Sequence, residues 1–368
     1  LVAVSGKGIR YLSSGQVRRV LLARALYARR EGVPQLLILD DPLESIDKES
    51  QKQIMVCIEQ FLHAGFSSLQ LCRRSNHIFP GVTHLAVMEQ LRILAKGERP
   101  KIELSAEFCR LQARKPKVPE QLPACLDQED TKIADNQPLI RLDGVDASYG
   151  DLRVLNNINW RMEADHHVLI EGPNGCGKST LLSLIDGENH KGYGQDVFLF
   201  GRRKGSGETV WEIKAQFGII SNELHNKYVK GWKVLDVLVS GFYDSIGLYD
   251  DSGAAEWVVA KEWLSALGIA ELERHYYHEI SFGQQRLVLL ARAMVKHPRL
   301  LVLDEPCVGL DDYYRELILG MLDLIAEQAN TQIVYVSHSV GEQPSCINQR
   351  LVFEKCETGG FTLSQVIT

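Results

Sequence analysis

A segment near the middle of the chain has the composition and spacing of a phosphate-binding loop. It reads GPNGCGKST and fits G-x-x-x-x-G-K-[ST], between an apolar strand signal at His167–Ile170 and a helical segment at Thr180–Ile185. Glycines let the backbone curl around an anion, and the N–H groups at a helix start face it. The predicted nucleotide-binding residues are Gly172, Pro173, Asn174, Gly175, Cys176, Gly177, Lys178, Ser179 and Thr180.

Within this loop, Lys178 is predicted to place its ammonium on the terminal phosphates, and Ser179 to offer its hydroxyl to Mg²⁺. A second chemical signal is LLVLDEP at Leu300–Pro306, an apolar strand that ends in two carboxylates. Such a pair alone is often only a helix cap. After a phosphate loop, it predicts Asp304 as a Mg²⁺ ligand and Glu305 as the group that orients the attacking water.

A long internal repeat decides the architecture. Ser13–Asp47 and Ser281–Asp311 share S-x-G-Q, the hexapeptide VLLARA, an apolar strand ending in Asp, and then Asp-Pro or Glu-Pro. The sequence therefore predicts a duplicated domain. Since only 12 residues precede the first copy, we expect the front half of the first domain to lie outside this chain.

A segment of different amino-acid composition separates the two copies. Residues 98–138 contain five prolines, many charges and little apolar periodicity, which disfavours packed helix or strand. We predict a C-terminal part of a first domain over 1–97, a linker over 98–138 with a short helix near 105–114, and a complete second domain over 139–368.

Composition excludes several classes of protein. The chain has 41 Lys and Arg against 47 Asp and Glu, and this net charge of −6 disfavours a protein that coats nucleic acid. No apolar run approaches the roughly 20 residues of a membrane-spanning helix. The eight cysteines form no CxxC pair, so isolated thiols in a reducing compartment are expected. Arg202–Lys204 is interpreted as a solvated turn.

These motifs together resemble the ATP-binding cassette (ABC) ATPases, with two cassettes in tandem. The segments Ser13–Gln16 and Ser281–Gln284 resemble the LSGGQ signature of that family, and Gly309–Asp311 resembles its D-loop. Tyr149 resembles the aromatic residue that stacks on adenine, and His338 the switch histidine near the γ-phosphate. The resemblance implies α/β P-loop NTPase cassettes with a mostly parallel sheet, helices on both faces, and antiparallel and helical subdomains.

The family also implies that ATP lies between two paired cassettes, facing the phosphate loop of one and the signature of the other. One site would combine the second cassette with Ser13, Gly15 and Gln16 of the first. Its implied catalytic residues are Lys178, Glu305 and His338, and its implied metal ligands are Ser179, Asp304 and Asn222. Asn222 stands where the family has the glutamine of the Q-loop, so coupling to a partner is in doubt.

The other site would use Ser281, Gly283 and Gln284, with Phe282 where the family usually has glycine. Its remaining residues come from the first copy, where Asp41 replaces Glu305 and a count along the chain places Arg74, with Arg73 beside it, at the switch position. A shorter carboxylate would miss its working position, and a misplacement of about an ångström can cost on the order of 100-fold in rate. This site is predicted either to be weakened or only to hold ATP.

The resemblance implies a Mg²⁺-dependent ATPase that is the nucleotide-binding subunit of an ABC transport system, with a membrane permease as partner. A closer likeness to tandem proteins associated with molybdate-transport operons rests on the segment 181–221. The alternative is a soluble ATP-driven switch with a regulatory, stress-related or ribosomal role. Direct nucleic-acid binding is not expected. The implied location is the cytoplasm or the cytoplasmic face of the inner membrane.

Overall fold

The structure is a computed structural model that describes residues 14–28, 36–44, 46, 48–63, 67–89, 91–126, 137–186, 189–228, 231–248, 252–337 and 342–367. The chain divides into two compact units. The first comprises Leu1–Lys117 and Val308–Glu316, and the second comprises Val118–Cys307 and Leu317–Thr368. None of the helices in the described ranges is long and apolar enough to cross a membrane.

The first unit contains two small sheets with helices. Its elements are α1 Ser14–Tyr27, β1 Leu36–Asp40, α2 Lys48–His63, β2 Ser67–Leu71, β3 His84–Glu89, β4 Arg92–Glu98, α3 Arg99–Glu103 and α4 Ala106–Ala113. Strand β1 pairs in parallel with β2, and β3 pairs antiparallel with β4. The apolar face of α2 supplies Ile54 and Ile58 to a small core that also contains Leu39 and Phe79.

The second unit is built on a ten-stranded sheet in the order β10-β11-β12-β7-β13-β14-β6-β5-β8-β9. Its strands are β5 Ile140–Tyr149, β6 Leu152–Met162, β7 Val168–Glu171, β8 Asp196–Leu199, β9 Arg202–Arg203, β10 Phe217–Ile220, β11 Leu300–Asp304, β12 Gln332–Ser337, β13 Gln349–Lys355 and β14 Phe361–Ile367. Strands β10, β11, β12, β7 and β13 run parallel, whereas β5, β6, β8 and β9 form an antiparallel flank.

Helices of the second unit follow its strands in the alternating order typical of α/β proteins. They are α5 Lys178–Ile185, α6 Val210–Ala215, α7 Asn222–Lys227, α8 Val234–Val239, α9 Ala254–Ala266, α10 Phe282–Met294 and α11 Asp312–Gln328, the last of which begins in the first unit. Helices α8, α9 and α10 pack on one another and bury Trp263 completely. This arrangement confirms the predicted α/β cassette with antiparallel and helical parts.

Continuous apolar sequence explains why the parallel strands lie at the centre. Leu300, Leu301 and Leu303 of β11 are fully buried, as expected for a strand covered on both faces. Burial of each such side chain contributes about 1.5–3 kcal/mol relative to exposure. The carboxyl end of β11 is therefore held in place by a buried apolar core.

The range 98–138, predicted as a linker, begins with two short helices and is described as far as Leu126. Helix α4 occupies the position predicted from the sequence, and Ser105 caps it by accepting a hydrogen bond from the Phe108 N–H. Helix α3 was not predicted, because Pro100 suggested irregular chain. A proline in the first helical turn is tolerated, since the N–H groups there lack intrahelical partners.

Candidate nucleotide site

The phosphate-binding loop lies between β7 and α5, as the motif requires. A side chain at position 172 would meet the Sγ of Cys176 and the Cβ of Phe353 at 2.8 Å, so only glycine fits there. Gly177 has φ +106°, and a Cβ on it would lie 2.8 Å from Leu155 and Val154. These two glycines let the backbone turn tightly into the start of α5, where N–H groups attract anions.

The polar atoms of the loop indicate that it binds an anion. The Nζ of Lys178 donates to the carbonyl oxygens of Gly172 at 2.8 Å and Pro173 at 3.2 Å, so the ammonium lies inside the loop. Among the described residues, the buried side-chain nitrogen of Asn174 has no hydrogen-bond acceptor. A buried donor without an acceptor is costly, and a phosphate oxygen would satisfy it. The loop therefore fits the triphosphate of a nucleotide.

Two consecutive carboxylates lie at the carboxyl end of β11. Asp304 ends the strand, and burial, followed by the neighbouring Glu305 carboxylate, raises its pKa to about 6. Lys178 and Arg286 act in the opposite direction, which shows that these charges share one electrostatic environment. Glu305 has φ +52°, and its N–H donates to the Val336 carbonyl at 3.1 Å. This positive φ makes a kink in the backbone directly after β11, a conformation that is uncommon for residues other than glycine.

The oxygen donors at the site match the preferences of Mg²⁺. Ser179 offers a hydroxyl and Asp304 a carboxylate, and hard divalent cations take oxygen ligands of these kinds. Burial and then the Glu305 carboxylate raise the pKa of Asp304, and a nearby cation would favour its ionised form. The residues present therefore fit the ion, with Ser179 and Asp304 as the protein groups that would hold it.

Asn222, predicted as a third metal ligand, begins α7 directly after β10. Its Oδ1 accepts a hydrogen bond from the Nη2 of Arg286. Arg286 lies in α10 and is almost completely buried. Sequence reasoning missed this residue, because an arginine inside an amphipathic helix resembles a solvated one until the packing is known.

The signature of the second copy forms the start of α10. Ser281 accepts from the Gln284 N–H, and the Gln284 side chain accepts from the Ser281 N–H, which is a capping box. Gly283 follows in the first turn and is buried. The ring of Phe282 lies 5.0 Å from the Arg286 guanidinium and 5.1 Å from the His225 ring. The unusual aromatic residue is thus packed inside its own cassette.

Tyr149 ends β5 and remains 48% exposed, as a base-stacking ring requires. Its hydroxyl accepts from the side-chain nitrogen of Asn189 at 3.1 Å, and the Lys191 Nζ lies 4.8 Å from its ring centre. Sequence reasoning missed both residues. Lys204, interpreted as part of a solvated turn, is also buried: its Nζ donates to the Leu184 and Asn189 carbonyls, whereas Arg202 and Arg203 are exposed as expected.

Two sequence predictions fall where little or nothing is described. Ser13 and His338 lie outside the described residues, although β12 does lead towards His338 as predicted. Gly15 and Gln16 lie in the first turn of α1, and only their backbone is described. The roles given to these residues remain predictions.

The first copy reproduces the kink but not the chemistry around it. Asp41 has φ +39°, and its N–H donates to the Leu71 carbonyl at 3.0 Å. Its carboxylate accepts from the Arg73 N–H at 3.2 Å and pairs with the Arg73 Nε at 3.3 Å. Within the same unit, Arg73 and Arg74 donate to the Gly309 and Leu310 carbonyls at 3.0 and 3.2 Å. These side chains therefore make stabilising contacts within the first unit, including contacts between segments distant in sequence.

Strand register gives a second alignment of the two copies. Asp40 lies opposite Leu71 in the first copy, and Asp304 lies opposite Val336 in the second. Two residues beyond each partner are Arg73 and His338, and the latter lies outside the described residues. Alignment by register therefore favours Arg73 at the predicted switch position, whereas counting along the chain from Asp40 favours Arg74, because the first copy has one residue fewer between its two strands.

Comparison with known proteins agrees with this geometry. The model of the family described as "ABC transporter" matches residues 155–308. Among solved structures, CbiO1 from Clostridium perfringens, part of the ABC transporter complex CbiONQ, aligns with a TM-score of 0.52 at 21% identity, over 62% of this chain and 88% of that one. The cassette MJ0796, in a dimer bound to ADP and Pi, also gives 0.52 at 21% identity, over 62% and 98%. At these identities the likeness shows the fold.

Relatives extend the likeness to nearly the whole chain. The ABC transporter ATP-binding protein ModF of Escherichia coli is 37% identical over 96% of this chain and 72% of its own length. An uncharacterised ABC transporter ATP-binding protein of Schizosaccharomyces pombe is 27% identical over 92% and 67%. With a phosphate loop, paired carboxylates and a capped signature helix in the expected places, the chain belongs to the ABC transporter ATP-binding protein family.

Proposed function

We propose that this chain binds ATP with Mg²⁺ and hydrolyses it to ADP and phosphate at the site of its second cassette. The observation that carries the proposal is the convergence of Lys178, Asp304 and Glu305. Glu305 raises and Lys178 lowers the pKa of Asp304, so the ammonium and the two carboxylates are near enough to influence one another. This combination matches the needs of phosphoryl transfer, which depends on positioning and charge stabilisation.

Each residue has a distinct part in the proposed reaction. The loop N–H groups and Lys178 bind and orient the terminal phosphates, which they stabilise as negative charge moves onto the leaving oxygen. Mg²⁺, when bound at Ser179 and Asp304, supplies further neutralisation of phosphate charge. Glu305 holds the attacking water and receives its proton, since it is the carboxylate that directly follows Asp304 at the end of β11. Tyr149 stacks on the base.

Hydrolysis is tested by phosphate release from the purified protein with Mg²⁺ and ATP. Lys178→Ala is expected to lower the rate by at least about 100-fold and to weaken ATP binding, since it removes the ammonium from the phosphates. Lys355→Ala removes an exposed lysine of β13 and is the matched control. Equal rates for Lys178→Ala and the wild type would overturn the proposed site.

We further propose that the protein is the nucleotide-binding subunit of an ABC transport system, working with a membrane permease at the inner membrane. The likeness to ModF, an ABC transporter ATP-binding protein, supports this role. Molybdate is the first cargo to test, because the segment 181–221 resembles tandem proteins associated with molybdate-transport operons. We also propose that the two cassettes pair around ATP, with Ser13, Gly15 and Gln16 facing the second phosphate loop, as the family resemblance implies. Hydrolysis would then release the paired cassettes, because the γ-phosphate that joins them is lost.

The partner is identified by trapping. Glu305→Gln keeps the shape of the side chain but removes its negative charge, so the variant should bind ATP without hydrolysing it. Complexes formed in the ATP state should therefore persist. We expect a permease to co-purify with tagged Glu305→Gln from the membrane fraction when ATP is added, and not with Lys178→Ala. Recovery of ribosomes, or of the ATPase alone, would replace the transport role by the soluble switch described above.

A further inference from the structure

The loop that follows the phosphate-loop helix contacts the base-stacking tyrosine. Helix α5 ends at Ile185, and the chain returns through Asn189 towards the end of β5. There the side-chain nitrogen of Asn189 donates to the Tyr149 hydroxyl at 3.1 Å. The same nitrogen donates to the Ser183 Oγ at 3.1 Å, and that hydroxyl donates to the Thr180 carbonyl at 2.9 Å. A hydrogen-bonded chain therefore joins the Tyr149 ring to the last residue of the phosphate loop.

Asn189 is itself held rigidly. Its side chain is almost fully buried, its N–H donates to the Ser183 carbonyl at 2.9 Å, and its own carbonyl accepts from the Lys204 Nζ at 3.0 Å. Its Oδ1 accepts from the Lys191 N–H at 3.0 Å. A side chain with so many fixed partners has little rotamer freedom, so it can orient the group that it contacts.

A second set of hydrogen bonds joins the same loop to β5. The Gln195 side-chain nitrogen donates to the Asp146 carbonyl at 2.8 Å and to the Lys191 carbonyl at 2.6 Å, while its oxygen accepts from the Asp146 N–H at 2.8 Å. The Lys191 ammonium then lies over the Tyr149 ring, 4.8 Å from its centre. A cation on one face of the ring leaves the opposite face for a base.

We propose that Asn189 is a positioning residue for nucleotide binding: it sets the distance and tilt of the Tyr149 ring relative to the phosphate loop. The inference rests on the proposed function, since it assumes that Tyr149 stacks on the base of ATP. A nucleotide bound at its base and at its phosphates needs both contacts at a fixed separation. The chain from Tyr149 through Asn189 and Ser183 to Thr180 supplies that separation within one cassette.

The test compares two ligands that share phosphates but not a base. Binding of ATP and of inorganic tripolyphosphate is measured by calorimetry on the intact protein, for the wild type, Asn189→Ala, Tyr149→Phe and the double variant. Each single variant loses the same hydrogen bond, so we expect the Kd for ATP to rise about 3- to 10-fold in each. The double variant should be no weaker than the weaker single variant. The Kd for tripolyphosphate should not change.

Controls separate positioning from general damage. Asn159→Ala removes an exposed asparagine of β6 and should leave both affinities at wild-type values. Tyr149→Phe keeps the ring and its packing, so it reports on the hydrogen bond even where Asn189→Ala disturbs folding. Equal losses for ATP and tripolyphosphate in both variants would overturn the proposal, since Asn189 would then only support α5. Additive losses in the double variant, or no loss for ATP, would also overturn it.

The same experiment distinguishes failure of the proposed function. Lys178→Ala should lose affinity for both ligands, because both carry the phosphates that its ammonium contacts. If the wild type bound neither ligand, the nucleotide site and the positioning role would both be wrong. If ATP bound normally and Lys178→Ala abolished its binding, while Asn189→Ala and Tyr149→Phe changed nothing, only the positioning role would be wrong.

Discussion

The two copies of the repeat share a backbone and differ in what surrounds it. Asp41 and Glu305 both follow an apolar strand, both have positive φ, and both donate their N–H to the end of a parallel neighbour. Around Asp304, the residue before Glu305, the structure places Lys178, Glu305 and Arg286 within electrostatic reach. Around Asp41 it places Arg73, which pairs with the carboxylate. The same local fold therefore serves proposed catalysis in one copy and structural pairing in the other.

The Arg73 guanidinium pairs with the Asp41 carboxylate and fixes its orientation. We expect an acid held in this way not to hold a water for reaction. The kink is present in both copies because it depends on main-chain hydrogen bonds, which the side chain does not change. Two copies can therefore share a backbone conformation while their side chains make different contacts.

The largest expected effect is on ATP hydrolysis. Glu305→Gln should lower the turnover rate about 100-fold or more, because an amide cannot accept the proton of the attacking water. Asp41→Asn should change it less than about 3-fold, since Asp41 is engaged by Arg73. Phosphate release from both variants, measured in parallel at saturating ATP, checks the comparison. Equal losses would show that the two copies are catalytically equivalent.

The next effect is on stability and uses equivalent leucines. Leu300→Ala should lower the free energy of unfolding of the second unit by about 2–5 kcal/mol, because Leu300 is 0% exposed and its truncation leaves a cavity. Leu36 occupies the same repeat position but is 57% exposed, so Leu36→Ala in this chain should cost about 0.5 kcal/mol or less. Denaturant unfolding of both variants gives the two values, and similar losses would contradict the difference in burial.

The smallest expected effect concerns the Arg73–Asp41 pair. Arg73→Ala should lower the stability of the first unit by about 1 kcal/mol, since the nearly buried Asp41 carboxylate loses its counter-ion. The value is modest because the Arg73 side chain is itself 47% exposed and is screened by solvent. Thermal unfolding at low and high salt measures it, and the difference should shrink as salt rises.

The control is Arg110→Ala, whose pair with Glu89 is more exposed on both sides and should contribute within a few tenths of a kcal/mol. If the two variants melted together at every salt concentration, Asp41 would not depend on Arg73. The first copy would then have lost its chemistry without gaining a structural contact.

Local patterns predicted much of the site. The phosphate loop, the two carboxylates at the end of β11 and the signature at the start of α10 were all identified from short sequences, because each needs particular residues at fixed spacing. The repeat predicted a duplicated domain, and the resemblance to ABC ATPases implied its α/β fold. A short helix near 105–114 was also predicted, whereas α3 was hidden by its proline.

Tertiary structure alone decided the contacts between residues distant in sequence. Three contacts join segments that no local pattern relates: Arg286 with Asn222, Arg73 with Asp41, and Asn189 with Tyr149. The spacing of residues along one helix or strand predicts which of them share a face. It does not predict contacts between elements that are separated by a turn. Which side chain meets which across that turn depends on strand register and packing, and these exist only in the folded molecule.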